Sequence, residues 1–123
     1  MATSTIKLFN MILFFIFFSQ GYSKCSLEDI HVSQAITGLT VKGKPELSVT
    51  VANWCSCAQS NVKLDCKGFQ SVKSIDPSIL KVSGHVCLVN SGNPILEEGV
   101  VEFSYAWDTP FSLLPISSDI SCA

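Results

Sequence analysis

The chain has 123 residues, with eight lysines, no arginine and ten acids for a formal charge of −2, and six cysteines. A mildly acidic chain without arginine lacks the basic stripe and the guanidinium forks that nucleic-acid binding uses, so no nucleic-acid partner is expected. This length supports a single core.

The first segment sets the compartment. It carries one base, Lys7, and no acid up to Asn10; Leu8 to Phe18 is apolar apart from Asn10, and Ser19-Gln20-Gly21-Tyr22-Ser23 follows. That is the order of a secretory signal, and cleavage after Ser23 or after Gly21 fits the small-residue rule. A membrane anchor would need about 20 apolar residues, roughly twice this run. The expected organisation is a signal peptide over 1–23 and a single cysteine-rich β domain over 24–123, extracellular and free of the membrane once the signal is removed. Seven lysines against ten acids leave that domain with a net charge of −3.

All six cysteines, Cys25, Cys55, Cys57, Cys66, Cys87 and Cys122, fall in the second part. An even count in a short secreted chain reads as a disulfide framework, and six cysteines allow 15 pairings among which spacing does not choose. The paired knuckles of structural zinc are absent and the compartment oxidises thiols, so neither metal nor cofactor is expected.

From Cys25 the chain runs through Leu27, Ile30, Val32 and Ala35-Ile36-Thr37-Gly38-Leu39-Thr40-Val41 to Lys42-Gly43-Lys44-Pro45, β-branched residues closed by turn residues, which favours a strand. Glu46 to Trp54 alternates Leu47, Val49 and Val51 with Ser48, Thr50 and Ala52, the pattern of a half-buried strand. The Cys55-Ser56-Cys57 step, if extended, sends both thiols from one face, so each must find a partner elsewhere and draw the chain ends toward the middle. Polar Ala58 to Asn61 reads as a turn, making Val62 to Cys66 the second arm of a hairpin. Val72 and Ser74 alternate with Lys73 and Ile75 before the Asp76-Pro77 turn, and Ile79, Leu80 and Val82 give a weak strand. Another runs from Gly84 to Asn90 and stops at Ser91-Gly92-Asn93-Pro94. Gly99 to Trp107 puts Val101, Phe103, Tyr105 and Trp107 on one face and is expected to be central. The tail after Asp108, with Pro110 and Pro115, reads as loop or edge. Strands recurring about every 8 to 12 residues without a helical period predict an all-β fold, a small antiparallel β-sandwich stapled by disulfides.

Catalytic signals are lacking. His31 and His85 are far apart and outside any metalloprotease or serine-hydrolase motif, and Glu97-Glu98 are neighbours that point apart. Asp108 is placed to cap the Thr109-Pro110 turn. No catalytic residue is assigned and no enzyme is expected. Trp54, beside the cysteine cluster, is the better candidate for an exposed ring, whereas Trp107 reads as core.

Several blocks together resemble the plant tapetum determinant family: Ile30-His31-Val32-Ser33-Gln34, Gly43-Lys44-Pro45-Glu46, Val51-Ala52-Asn53-Trp54-Cys55-Ser56-Cys57, Val62 to Phe69, Cys87-Leu88-Val89-Asn90, Phe103-Ser104-Tyr105-Ala106-Trp107-Asp108 and Pro115-Ile116-Ser117-Ser118. The most specific are the C-x-C step, Cys66-Lys67-Gly68-Phe69 and Tyr105-Ala106-Trp107-Asp108. The resemblance implies a small apoplastic protein that acts as the ligand of a leucine-rich-repeat receptor kinase and specifies cell fate in the anther, with all six cysteines bridged. Trp54, Asp108, Phe111 and Leu113 are the expected partner surface. The alternative is an extracellular carbohydrate-binding module without catalysis, presenting its tryptophans to sugar rings.

Overall fold

The structure is a computed structural model that describes residues 24–122; the expected signal peptide over 1–23 lies outside the described residues, as does Ala123. Seven strands build it: β1 (Ile30–Val41), β2 (Lys44–Asn53), β3 (Ala58–Asp65), β4 (Leu80–Ser83), β5 (Val86–Val89), β6 (Val100–Ala106) and β7 (Leu114–Ser121). They form two antiparallel sheets, in the orders β1-β2-β6 and β4-β5-β3-β7. The all-β sandwich expected from the alternation is the fold observed.

Each sheet turns one face inward. Leu47, Val49 and Val51 of β2 meet Val62 and Leu64 of β3 and Val89 of β5 in one buried cluster, joined by Phe103 and Tyr105 from β6. Ser48, Thr50 and Ala52 face out, as the period of two requires. The β1–β2 hairpin closes on Lys42 (φ 50°) and Gly43 (φ 82°). Two successive left-handed residues make the tight turn whose twist matches the strands, and glycine takes the second position without strain.

Four expectations from the sequence are corrected. The C-x-C step is a bend between the sheets rather than a strand. Ala58 to Asn61 is the first half of β3 and pairs with β7, not a turn. A bulge follows it at Asn61, whose φ is 49°. Consequently β2 and β3 form no hairpin, because the chain changes sheet between them. Strand β6 is an edge and β2 is the centre of its sheet; large side chains fill a sandwich equally well from an edge, since only their inward direction matters. Finally, 66–79 forms no strand. It lies along the open edge of β6, where Val72 N–H donates to Ala106 O and Ala106 N–H donates to Ser71 Oγ.

Three bridges lock this frame: Cys25–Cys55, Cys57–Cys122 and Cys66–Cys87, with Cα separations of 5.7, 4.7 and 5.9 Å. The first two take both ends of the described chain to the C-x-C bend. The third joins the end of β3 to β5, and both of its residues are fully buried.

Candidate functional site

The C-x-C bend is built by two buried amides. Asn53 continues the inward row of Leu47, Val49 and Val51, so its side chain enters the core and must be satisfied there. Its Nδ2 donates to the carbonyls of Cys57 and Ile95, each at 2.9 Å, and its Oδ1 accepts from Cys55 N–H at 3.0 Å. Gln59, also fully buried, donates through Nε2 to Ser26 O and Asn53 Oδ1, while its Oε1 accepts from Ser118 Oγ. One amide shapes the bend and the other ties the segments beside Cys25 and Cys122 to it.

This scaffold pushes Trp54 outward. Residue 53 faces in, so residue 54 faces out, and its N–H is anchored to Asp29 O at 2.9 Å. The indole stacks on His31 of β1 with ring centroids 3.4 Å apart and planes 21° apart, yet remains 68% exposed. His31 stands opposite Ala52, which stands opposite Val100, itself 55% exposed. The result is an exposed ring at one pole of the sandwich, flanked by His31 and on the same sheet face as Val100, held by a covalently clamped bend.

The other expected surface residues go elsewhere. Asp108 is exposed, but it does not cap Thr109: it accepts from Lys44 Nζ at 2.7 and 2.8 Å. The same ammonium lies 5.3 Å from the centre of the Trp107 ring, which is half-buried against the core. Lys44 begins β2 and Trp54 follows its end, so Asp108 and Trp54 are at opposite poles. Phe111 is half-buried in an aromatic group with Phe69 and Tyr105. Leu113 is 3% exposed and belongs to the core, which removes it from any partner surface. The cause is a strap: Gln34 Nε2 donates to Phe111 O at 2.7 Å, Phe111 N–H donates to the Tyr105 hydroxyl at 3.0 Å, and that hydroxyl donates to Gln34 Oε1. Burial raises the Tyr105 pKa, opposed in part by the Phe111 amide.

A second polar cluster closes the far pole. Glu46 accepts from Lys73 Nζ at 2.8 Å and from Thr37 Oγ1 at 2.9 Å, and these donors, Lys73 first, hold its carboxyl below the ordinary value of 4.5. Lys73 Nζ also reaches Ser104 Oγ. This is a satisfied ion pair at the edge of a sheet.

Among the described residues neither histidine meets a partner for proton transfer: His31 is stacked on Trp54, and His85 lies exposed in the β4–β5 turn on the other sheet. Two shallow depressions, of about 500 and 520 Å³, lie beside 69–82 and on the outer face of β3–β5, and no carboxylate lines either. The sulfurs of Cys25, Cys57 and Cys122 lie within 4.8 Å of one another, but all three are bridged and so are not thiolate ligands. The exposed ring expected at Trp54 is exposed, while Asn53, Gln59 and His31 were not singled out by the sequence. An asparagine in the inward register of Leu47, Val49 and Val51 was the available signal for the first.

A family model described as Tapetum determinant 1, C-terminal, matches residues 26–123. The chain belongs to the tapetum determinant 1 family. This family member is 32% identical over 95 residues to TPD1 protein homolog 1A of Oryza sativa subsp. japonica, covering 70% of this chain and 42% of that protein. It is 30% identical over 98 residues to TPD1 protein homolog 1 of Arabidopsis thaliana, covering 76% of this chain and 55% of that protein. An uncharacterized Arabidopsis thaliana protein is 37% identical over 79 residues, 60% of this chain and 61% of its own length. This tapetum determinant 1 chain thus spans about half the length of the two named homologues. No solved structure matches it. Among the described residues no helix is long and apolar enough to cross a membrane.

Proposed function

We propose that this protein is a secreted signalling ligand, freed from a signal peptide over 1–23 and recognised in the apoplast by the ectodomain of a leucine-rich-repeat receptor kinase. On this reading it controls cell differentiation of the anther type and performs no catalysis. The observation that carries the proposal is family membership over residues 26–123, which takes in both sheets and every bridged cysteine except Cys25. A rigid, disulfide-locked sandwich suits a concave repeat surface because little conformational entropy is lost on docking.

The patch of Trp54, His31 and Val100 is the contact surface in this proposal, and Asp108 belongs to the opposite pole. Exposed aromatic anchors dominate interface energetics. The test is capture of the oxidised, folded chain by a panel of leucine-rich-repeat ectodomains, with a reduced and alkylated sample beside it. Saturable binding that disappears on reduction supports the ligand. A folded sample that binds no member of the panel removes the proposal.

One observation favours a second reading, carbohydrate binding without catalysis: a single indole ring that is 68% exposed and fixed on one side by His31. A ring so placed presents its free face to a sugar. Glycan arrays decide it, and a signal unchanged by Trp54→Ala counts against that reading.

A further inference from the structure

Two of the three bridges are close enough to exchange partners. The sulfurs of Cys25, Cys57 and Cys122 all lie within 4.8 Å, although Cys25 is bridged to Cys55 and Cys57 to Cys122. Their exposure differs in a way that gives the cluster a direction: Cys122 is exposed, Cys25 half-buried, and Cys57 only 9% exposed. Cys66 and Cys87 are fully buried and form no part of the cluster.

We propose that this pair of bridges is a thiol-exchange site for small extracellular thiols of the glutathione class. A thiolate reaches a disulfide through whichever sulfur is accessible, and the other sulfur leaves. Here the accessible sulfur is that of Cys122. The external thiolate bonds to Cys122 Sγ, the Cys57–Cys122 bond breaks, and Cys57 departs as a thiolate in the protein interior. It is then within 4.8 Å of Cys25 Sγ. Attack there forms a Cys25–Cys57 bridge, breaks Cys25–Cys55, and releases Cys55 as a thiolate. One external thiol is incorporated on Cys122 and one protein thiol appears at Cys55; no net oxidant or reductant is consumed.

The released group does not readily return. Asp29 has a carboxylate oxygen within 4.8 Å of the Cys25 and Cys55 sulfurs, and a thiolate beside a carboxylate takes up a proton and loses its nucleophilicity. The exchange therefore moves the free thiol to the residue next to Trp54 and unfastens the end of β7, while the segment at Cys25 stays tied to the bend through Cys57. The inference rests on bridge geometry and exposure, and is independent of the receptor reading.

The test treats the folded oxidised protein with limiting glutathione at neutral pH, blocks free thiols with N-ethylmaleimide, and locates each modification by tandem mass spectrometry. The expected products are glutathione on Cys122, maleimide on Cys55, a Cys25–Cys57 crosslink and an intact Cys66–Cys87 bridge. In a Cys25→Ala/Cys55→Ala variant the label moves to Cys57, because the second step has no target. Label on Cys57 of the unaltered protein with Cys25–Cys55 retained overturns the relay. Glutathione on Cys25 or Cys55, or no uptake by the folded protein, overturns the entry point.

Discussion

Asn53 is fully buried where the chain leaves one sheet for the other, and its amide donates to both Cys57 O and Ile95 O. Asn53→Ala strands Cys57 O and the Cys55 N–H, while Ile95 O keeps its bond from Gln59 N–H, and a buried group left unpaired costs about 1–3 kcal/mol. A loss of about 3 kcal/mol is expected in urea denaturation. Asn53→Asp should be at least as damaging, because it keeps the acceptor for Cys55 but loses both donated bonds and buries a charge. Glu46 makes a prediction about pH. Its folded pKa lies below the ordinary 4.5, with the Lys73 bond as the first cause. Its contribution is therefore fully present above about that ordinary value and is lost as pH falls through the lower, folded one. Asp76, held down by the Ser78 amide and hydroxyl, acts in the same sense. Glu46→Gln should flatten the acid side of a plot of Tm against pH without abolishing its slope, since Asp76 remains; an unchanged slope would contradict the assignment.

Among elements, the bridges are the informative comparison. Loop closure alone ranks them by sequence separation, 65 for Cys57–Cys122, 30 for Cys25–Cys55 and 21 for Cys66–Cys87, with contributions of about 3 to 4 kcal/mol each and a spread of only about 1 kcal/mol. Removing buried atoms adds a transfer term and a cavity term of about 24 cal/mol per Å³. Only Cys66–Cys87 has both partners at 0% exposure. Paired alanine substitutions should therefore be most destabilising at Cys66/Cys87 despite its shortest loop, while loss of Cys57/Cys122 should chiefly raise hydrogen exchange in β7. The strands themselves were largely legible. Leu47, Val49 and Val51 announce β2, and Phe103 and Tyr105 announce the inward face of β6. What alternation does not carry is the identity of neighbours: it says which way Phe103 points and nothing of whether β6 is flanked on one side or two. Gln59 shows the other limit. A polar Gln-Ser-Asn run looks like a turn until Ser26, Asn53 and Ser118 are seen to satisfy the inward amide. Leu113 misled for a related reason, since the strap from Gln34 and Tyr105 that buries it joins residues some 70 positions apart.

For the whole molecule, the proposed ligand role concentrates on one pole. Trp54→Ala should leave Tm nearly unchanged, because the indole is 68% exposed, yet weaken ectodomain binding about 30-fold or more, the scale of an interface hot spot near 2 kcal/mol. Calorimetric titration and a thermal melt on the same sample separate the two effects; equal loss in both would mark Trp54 as structural. The meeting of Cys25 and Cys122 at the C-x-C bend also bears on how the molecule can be handled. The backbone of residues 24–122 is a ring left open at one small gap, and that gap is beside Trp54. An affinity tag or fluorescent label fused directly before Lys24 or after Cys122 would shadow the patch it was meant to report on. The Lys42–Gly43 turn lies at the far end of β2, about 30 Å away at about 3.4 Å per residue. A permuted form of residues 24–122 that begins at Gly43, ends at Lys42 and joins Cys122 to Lys24 through a short flexible linker should keep both sheets and all three bridges, and would carry its labels out of the way.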